Sequence, residues 1–430
     1  MANIRKDPEA ARAELRSWQL RVFGLLWGAY ASYYLCRVNF AVAQPAILEE
    51  FPDWTGAQIG SIPSTYAVAY AAGQMVNGTL GQRFGTRRMM TMGLVLASVT
   101  NLLFAFANSF SAMQVLWAIN GWGQSAGWAL MVQTISDWNR SEGRGTLIGR
   151  LSTSYQVGHV LSWLLSGALC STIGWRAAFL IPGLFLLPMA VAFYLLLRDT
   201  PEQAGFPPVR NDFHHASHAT TGSRPLSTWQ ILKLTLSSRI LWILGIGFFV
   251  MNAVRYSFMN WSVQYMAEFH GRGIKASVLA ATLIPLVGAL GALSAGWASD
   301  EFFGKRRAPV CVIMLLGVAA TCMGMAFVPQ GDWLLAAVLM AVAGFMIYGP
   351  DVLIAGAATV DFSHPKAASV ATGLTMCLGA MGAIFSGAGV GYLKDLGHGN
   401  WYLVFEVLGG ISLMPAILLA SLWNARPKGA

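Results

Sequence analysis

The stretch Gly78-Thr-Leu-Gly-Gln-Arg-Phe-Gly-Thr-Arg-Arg88 is a short basic loop that separates two apolar segments. A related stretch, Gly296-Trp-Ala-Ser-Asp-Glu-Phe-Phe-Gly-Lys-Arg-Arg307, follows a later apolar segment, and the two leading glycines are 218 residues apart. Arg37 and Arg255 both lie inside apolar segments and are separated by the same 218 residues. Two independent features with one period indicate that the chain consists of two duplicated halves.

The composition is that of a membrane protein. Of 430 residues, 55% are hydrophobic and 11% are charged, whereas soluble proteins carry about 25% charged residues. This excludes a soluble enzyme of this length and a disordered chain. We predict an all-α membrane protein with twelve transmembrane helices in two pseudo-symmetric six-helix halves, because about 20 apolar residues suffice to cross a bilayer. The predicted helices are 19–46, 59–81, 88–107, 113–137, 145–172, 176–197, 239–266, 277–299, 308–328, 333–360, 367–393 and 401–423.

One long polar stretch, residues 199–238, contains four prolines and several Ser, Thr and His residues. It predicts a cytoplasmic linker between an N-terminal half, residues 1–198, and a C-terminal half, residues 239–430. The linker histidines could bind a metal, but a solvated linker is the favoured interpretation, and no metal or other cofactor is expected. These histidines are His214, His215 and His218.

The basic residues orient the chain, because Lys and Arg usually mark the cytoplasmic side of a membrane. With both termini inside, 22 of the 28 Lys and Arg fall on the cytoplasmic side and 4 on the other, while Arg37 and Arg255 lie within helices. We expect a multi-pass protein of the bacterial inner (cytoplasmic) membrane with cytoplasmic N- and C-termini. No basic run is present, so the lipid bilayer and not nucleic acid is the expected partner.

The two intramembrane arginines carry the functional signal. An arginine at the centre of a transmembrane helix costs roughly 2.5–3.5 kcal/mol on insertion scales and usually faces a cavity or a counter-ion. Tyr30 and Tyr34 share a helix face with Arg37, and Asn252 lies one turn from Arg255. Guanidinium groups pair bidentately with phosphate or carboxylate. Two of them on opposing halves suit a tetrahedral dianion best, because each half can bind a different pair of oxygens, and the halves could alternate access to the two sides around it.

Several segments resemble the organophosphate:phosphate antiporter family of the major facilitator superfamily, which includes glycerol-3-phosphate and hexose-6-phosphate transporters. These are Tyr33-Tyr-Leu-Cys-Arg-Val-Asn-Phe40, Asn120-Gly-Trp-Gly-Gln-Ser-Ala-Gly-Trp128, Asp199-Thr-Pro-Glu-Gln-Ala-Gly-Phe-Pro-Pro208, Ile347-Tyr-Gly-Pro350 and Leu353-Ile-Ala-Gly356. The resemblance runs from about residue 28 to 424. The repeated basic loop also resembles the signature of that superfamily.

The resemblance implies a site and two gating loops. It makes Arg37 and Arg255 the phosphate-binding arginines and brings Tyr30, Tyr34 and Gln124 near them. It also implies exchange of an organic phosphate for inorganic phosphate. The implied gating residues are Arg83, Gly85 and Arg87 in the first loop and Asp300, Gly304 and Arg306 in the second.

Four positions depart from the family pattern. Val38 and Gln74 stand where glycerol-3-phosphate transporters have lysines, and Gln82 stands where the first loop usually has Asp. Tyr155 replaces a histidine, with His159 one turn further on. His159 either lines the cavity or is packed and hydrogen-bonded, so Gln74, Tyr155 and His159 are candidate substrate-binding residues.

Asp351 occupies a tenth-helix position that is usually uncharged in the family. Three interpretations remain open: it holds a cationic group of a substrate such as an aminoalkyl phosphonate, it takes up a proton, or it pairs with Arg255 in one state. We therefore include Asp351 among the candidate substrate-binding residues.

These observations predict a secondary transporter of an organic phosphate or phosphonate. The alternatives are a proton symporter of an organic carboxylate such as a sugar acid, and a transporter-like membrane sensor of an organic phosphate. The sequence has no nucleophile–base spacing, so no enzymatic activity is expected. It has no Gly-x-x-x-x-Gly-Lys-Ser/Thr loop, so ATP-driven transport is not expected either. One chain should be functionally complete as a monomer.

Overall fold

The computed structural model describes residues 8–139, 144–209, 228–304, 306–363 and 368–425. Within these ranges the chain is helical and has no strand. The helices are α1 Pro8–Leu35, α2 Asn39–Glu50, α3 Gly56–Phe84, α4 Thr86–Ala105, α5 Phe110–Gln124, α6 Gly127–Trp138, α7 Arg144–Thr172, α8 Ala177–Leu196, α9 Thr228–Leu236, α10 Arg239–Glu268, α11 Ile274–Glu301, α12 Arg307–Ala326, α13 Trp333–Val352, α14 Thr359–Phe362, α15 Ala368–Leu396 and α16 Tyr402–Ala420. A short 3-10 helix covers Pro201–Ala204, and a π-helical turn covers Leu353–Ala358.

Eight of the described helices are long and apolar enough to cross a membrane. Two of them belong to the N-terminal half and six to the C-terminal half, and all coincide with predicted spans. The other four predicted spans are the first, second, fourth and fifth, and they carry most of the polar groups proposed for the site. The architecture is therefore consistent with twelve spans, and the chain is an all-α membrane protein.

Three predicted spans are not single, regular α-helices. The prediction of one unbroken first helix was wrong, because α1 ends at Leu35 and α2 begins at Asn39, which leaves Arg37 in the break. The fourth span is likewise divided into α5 and α6. The tenth span continues from α13 through the π-helical turn into α14.

The two halves repeat in three dimensions as well as in sequence. Arg176 forms an ion pair with Glu50 at 2.5 Å, and Lys394 forms one with Glu268 at 2.6 Å. Both members of the second pair lie 218 residues after their counterparts. The same offset thus relates the arginines, the basic loops and these ion pairs, and it supports two pseudo-symmetric halves. The predicted boundaries of the halves stay predictions.

Among the described residues, the halves are closed against each other at one end of the bundle. There, Gly56 and Gly60 of α3 lie directly on the backbone of Gly391 and Gly387 of α15. Small residues spaced four apart allow this close approach of transmembrane helices. The Asp395 carboxylate accepts hydrogen bonds from the Gly56 and Ala57 amides, both at 2.8 Å, and caps α3 from the other half.

The apolar core follows the same division. One buried cluster at the closed end contains side chains of both halves, including Ile59, Phe179 and Trp261. Two separate clusters, one in each half, lie at the other end, where both basic loops are found. The centre of the bundle is therefore sealed from one side and lies between two separate half-cores on the other.

Candidate functional site

The break between α1 and α2 is held by three amide side chains. In a continuous helix the Cys36 carbonyl would accept a hydrogen bond from the amide four residues later. Instead it accepts hydrogen bonds from Asn120 Nδ2 at 2.7 Å, Asn101 Nδ2 at 3.2 Å and Gln124 Nε2 at 3.2 Å. A buried carbonyl without partners is costly. These donors therefore stabilise the break and fix the backbone next to Arg37.

The amide cluster extends beyond the carbonyl. Asn39 donates to Asn101 Oδ1 at 2.9 Å, and Gln124 donates to Asn120 Oδ1 at 2.9 Å. Tyr66 connects the cluster to α3 by donating to Gln124 Oε1 at 3.4 Å. The predicted site residue Gln124 is thus buried, and its side chain stabilises the helix break. Its direct contact with a substrate stays a prediction.

Arg37 is surrounded by aromatic rings. Its guanidinium carbon lies 4.5 Å from the ring centre of Tyr70, 5.1 Å from that of Tyr34 and 5.5 Å from that of Tyr66. Ring faces attract a cation without neutralising it. Among the described residues, no carboxylate pairs with Arg37. Its charge therefore remains available to a ligand.

The helix break adds a second feature that attracts anions. The N-terminus of α2 follows Arg37 directly, and its N-cap residue Val38 provides no side-chain hydrogen bond. Helix N-termini carry a partial positive charge. In transporters with interrupted helices, such ends are suited to anionic substrate groups.

Arg255 has a different environment in the continuous helix α10. Its Nε donates to Asn252 Oδ1 at 3.0 Å, and its NH1 pairs with Asp351 Oδ2 at 3.3 Å. The two charged side chains are only 16% and 12% exposed. The guanidinium carbon also lies 4.6 Å from the ring centre of Tyr256. Of the three interpretations of Asp351, the pair with Arg255 is the arrangement that this conformation contains.

Asp351 lies where the tenth span changes its geometry. Pro350 precedes it, and the π-helical turn begins two residues later, at Leu353. The hydroxyl of Thr359 donates to the Ile354 carbonyl, five residues earlier, at 2.7 Å. Single π-helical turns occur often at functional sites.

The side chains of Tyr155 and His159 in α7 lie in the surroundings of the two arginines. Tyr155 and His159 are in ring contact with Tyr34, with ring centres 6.2 Å and 6.0 Å away. His159 is within electrostatic range of both Arg37 and Arg255. Its Nε2 is buried and has no hydrogen-bond partner among the residues that the structure describes.

The remaining predicted site residues lie at different depths. Tyr30 is buried and packs edge-on against Tyr34. Gln74 is exposed on α3, one turn beyond Tyr70, and none of the described contacts joins it to Arg37.

The first basic loop is held by an acid from the linker. Gly85 is the N-cap residue of α4 and has φ = 82°. A side chain at this position would clash with the Asp199 carboxylate. Asp199 Oδ1 accepts the Arg87 amide at 2.6 Å. Burial raises the pKa of the Asp199 carboxyl, while the Arg87 hydrogen bond and charge act in the opposite direction. Arg87 also donates from Nε to the Tyr194 carbonyl at 2.5 Å, and Arg83 is exposed.

The second basic loop contains its own acid. Asp300 pairs with Arg307 at 2.7 Å, and Arg307 also reaches Asp361 of the tenth span at 3.3 Å. Arg306 donates to the Phe303 carbonyl at 3.1 Å, and Gly304 has φ = 56°. Asp199 therefore supports the first loop, in which Gln82 replaces the usual Asp. The side chain of Gln82 and the linker histidines lie outside the described part of the chain.

Sequence reasoning placed Tyr34 beside Arg37 but missed the other two rings, Tyr66 and Tyr70, and most of the amides that hold the helix break. Tyr66 and Tyr70 are four residues apart and thus share one face of α3. That spacing in an apolar segment was the available signal. Asn101 and Asn120 are polar residues at the centre of predicted spans, but no local pattern links them to a carbonyl 65 and 84 residues away.

The fold and the buried cationic site define a membrane transport protein rather than an enzyme. The family model described as Major Facilitator Superfamily matches residues 26–387. The chain belongs to this superfamily and, within it, to the organophosphate:phosphate antiporter family, as the following relatives indicate.

The relatives match over nearly the whole chain. A probable hexose phosphate transport protein of Chlamydia pneumoniae is 32% identical over 98% of this chain and 95% of that protein. The glycerol-3-phosphate transporter of Bacillus subtilis is 30% identical over 98% and 96%. The membrane sensor protein UhpC of Salmonella typhimurium is 29% identical over 98% and 95%.

A solved structure has the same fold. It is a bacterial homolog to the human lysosomal transporter Spinster, in an inward-facing and occupied conformation. The TM-score is 0.76 over 96% of this chain and 99% of that chain, at 16% sequence identity. At this identity the similarity concerns the fold alone.

Proposed function

We propose that this protein is a secondary transporter that carries an organic phosphate ester or phosphonate across the bacterial inner membrane in exchange for inorganic phosphate. The observation that carries the proposal is Arg37, which lies in a helix break and has no acidic partner among the described residues. The relatives named for hexose phosphate and glycerol-3-phosphate transport support the substrate class.

Binding would use both halves at once. The phosphoryl group accepts hydrogen bonds from the Arg37 guanidinium and lies near the uncapped N-terminus of α2. Other phosphoryl oxygens reach Arg255, whose contact with Asp351 is shared or replaced. The ligand would thus contact both halves at once.

Transport would follow from the one-sided closure of the bundle. If both termini are cytoplasmic, as the basic residues predict, the closed end at Gly60 and Gly387 faces outward and this conformation is open to the cytoplasm. The bound anion draws the halves together at the basic loops, and the glycine contact then separates on the opposite side.

Sensing is a second candidate function, since one relative carries the name of a membrane sensor. A sensor would bind the same ligands without moving them. A proton symporter of an organic carboxylate would instead accumulate a sugar acid when a pH gradient is imposed and would be indifferent to internal phosphate.

The test is exchange in proteoliposomes preloaded with inorganic phosphate. We expect uptake of radiolabelled phosphate and of a phosphate ester, and its loss in Arg37→Lys and Arg255→Lys, because an ammonium group cannot form the bidentate contact. Arg272→Lys is the matched control, since Arg272 lies over the ring of Trp333 at 4.7 Å, near the closed end and away from the site.

The outcomes separate the three functions. Binding of phosphate esters without exchange would favour the sensor. Uptake of a sugar acid driven only by a pH gradient would overturn the phosphate proposal in favour of the symporter.

A further inference from the structure

The charges at the centre of the bundle do not balance. At the level of the helix break and the π-helical turn, the charged side chains among the described residues are Arg37, Arg255 and Asp351. Two guanidinium groups and one carboxylate leave one net positive charge. Asp351 engages Arg255 through a single oxygen, whereas Arg37 has no acid.

A phosphate ester that carries two negative charges would overfill this site. One of its negative charges would neutralise the charge of Arg37, and the other would remain as an excess negative charge beside the buried carboxylate of Asp351. Like charges in a poorly hydrated site repel strongly. A ligand with one net negative charge would bring the whole site to neutrality.

We infer that Asp351 makes the site selective for phosphates or phosphonates of net charge −1, in which an ammonium group of the ligand cancels the second negative charge. This inference rests on the transport function proposed above and names the substrate class of the same site. The phosphoryl group binds Arg37 and Arg255, and the ammonium group approaches Asp351.

The surroundings of Asp351 suit a cation. Its Oδ2 accepts the contact from Arg255, and no described donor bonds to Oδ1. Arg255 is the charged group that faces Asp351, and Tyr155 and Tyr348 also interact with it electrostatically. The ring centres of Tyr256 and Tyr348 lie 4.6 Å and 6.0 Å from the guanidinium carbon of Arg255. Rings that attract this cation also favour an ammonium group in the same region.

The experiment uses two ligands of nearly equal size. Phosphoethanolamine has a phosphomonoester and an ammonium group, and 2-hydroxyethyl phosphate has a hydroxyl in place of the ammonium. The purified protein is titrated with each ligand, and the dissociation constant is obtained from ligand-induced thermal stabilisation, which does not depend on transport. Phosphate exchange in proteoliposomes is measured on the same samples.

At about pH 8, where a phosphomonoester carries two negative charges, we expect phosphoethanolamine to bind about tenfold more tightly than 2-hydroxyethyl phosphate. At about pH 5, below the second phosphate pKa, each ligand gains one proton. The hydroxyl ligand then reaches net charge −1 and the amine ligand reaches zero, so the preference is expected to reverse. This reversal of the ligand preference with pH is measured on the unmodified protein alone.

Asp351→Asn supplies the independent check. It should lower the affinity for phosphoethanolamine at about pH 8 and raise that for 2-hydroxyethyl phosphate, which removes or inverts the preference. Asp332→Asn, an N-cap substitution at the other end of the same helix, is the control that should leave the ratio unchanged.

A preference for 2-hydroxyethyl phosphate in the unmodified protein at about pH 8 would overturn the inference. A ratio that Asp351→Asn does not change would do the same. Failure of the proposed function is distinguishable, because exchange of inorganic phosphate in proteoliposomes would then be absent whichever of the two ligands binds more tightly.

Discussion

The two halves hold equivalent arginines in opposite ways. Arg37 lies in a helix break, over tyrosine rings and next to an uncapped helix N-terminus. Arg255 lies in an unbroken helix and is bonded to an amide and a carboxylate. One guanidinium group is therefore held ready for an anion, and the other is already neutralised. A duplicated fold thus does not imply a duplicated role.

The difference can be followed position by position. Three residues before each arginine, the N-terminal half has Tyr34 and the C-terminal half has Asn252, so a ring contact is replaced by a hydrogen bond. The counterpart of Tyr70 is Gly288, against which the ring of Tyr348 packs. Besides Tyr256 of α10, whose ring centre is 4.6 Å from the Arg255 guanidinium carbon, a second ring therefore comes from the tenth span, that of Tyr348 at 6.0 Å, and the same span supplies Asp351.

The largest expected effect comes from the same substitution in both halves. Arg255→Met leaves the buried Asp351 without its partner and should lower the free energy of unfolding by about 3 kcal/mol. Arg37→Met leaves no acid unpaired and should change stability far less. Chemical unfolding of both variants in detergent measures the contrast.

The double variant Arg255→Met/Asp351→Leu is the control for this contrast. It removes both charges and should recover most of the stability. Equal losses in Arg37→Met and Arg255→Met would contradict the assigned difference between the halves.

The amide support of the break gives the next effect. Asn120→Leu removes the shortest hydrogen bond to the Cys36 carbonyl and should destabilise by about 2 kcal/mol. It should also weaken phosphate binding, because Arg37 loses its fixed backbone. Asn260→Leu in the unbroken α10 removes a hydrogen bond to Ser386 Oγ and serves as the comparison, with an expected loss below about 1 kcal/mol.

Thermal unfolding and phosphate titration measure both asparagine variants. An Asn120→Leu protein with unchanged phosphate affinity would mean that the break does not position Arg37.

The ring over Arg37 can be separated from its hydroxyl. Tyr70→Ala removes the ring and should weaken phosphate binding about tenfold, since a partly desolvated cation–π contact contributes roughly 1 kcal/mol or more. Tyr70→Phe keeps the ring and should bind nearly as the unmodified protein does. If Tyr70→Phe loses as much phosphate affinity as Tyr70→Ala, the hydroxyl contacts the ligand and the ring face is not the important feature.

The smallest effect concerns the two equivalent ion pairs at the closed end. In the first of these pairs, the hydrogen bond from Arg176 lowers the pKa of the Glu50 carboxyl. An acid with a lowered pKa stabilises the fold above its unfolded pKa and loses that contribution as the pH falls through the folded value. Because this pair is exposed, Glu50→Gln should cost no more than about 0.5 kcal/mol at neutral pH.

Glu268→Gln at neutral pH gives the comparison for the equivalent pair. Melting temperatures of Glu50→Gln, recorded from about pH 7 down to about pH 4, test this prediction. The difference from the unmodified protein should shrink in the acid range. A difference in melting temperature that grows as the pH falls would contradict the prediction.

The sequence was sufficient for the features that repeat. The duplicated basic loops and the spacing of Arg37 and Arg255 predicted the two halves, and the family and fold are confirmed. The helix break was not predictable, because residues 36–38 contain neither Pro nor Gly and the three stabilising amides come from distant spans. Asp199 could not be assigned to the first loop either, since their contact spans 112 residues.

Glycine-on-glycine contact between α3 and α15 has a kinetic consequence. Interdigitated side chains must lose many dispersion contacts before two helices separate, but Gly60 and Gly387 meet as bare backbone. Opening this seam requires mainly the release of hydrogen bonds such as those of Asp395 and Ser64. The seam between α3 and α15 therefore adds little to the activation barrier. The barrier is expected to come mainly from separating the apolar side chains of both halves that pack at the closed end, such as Ile59 and Trp261.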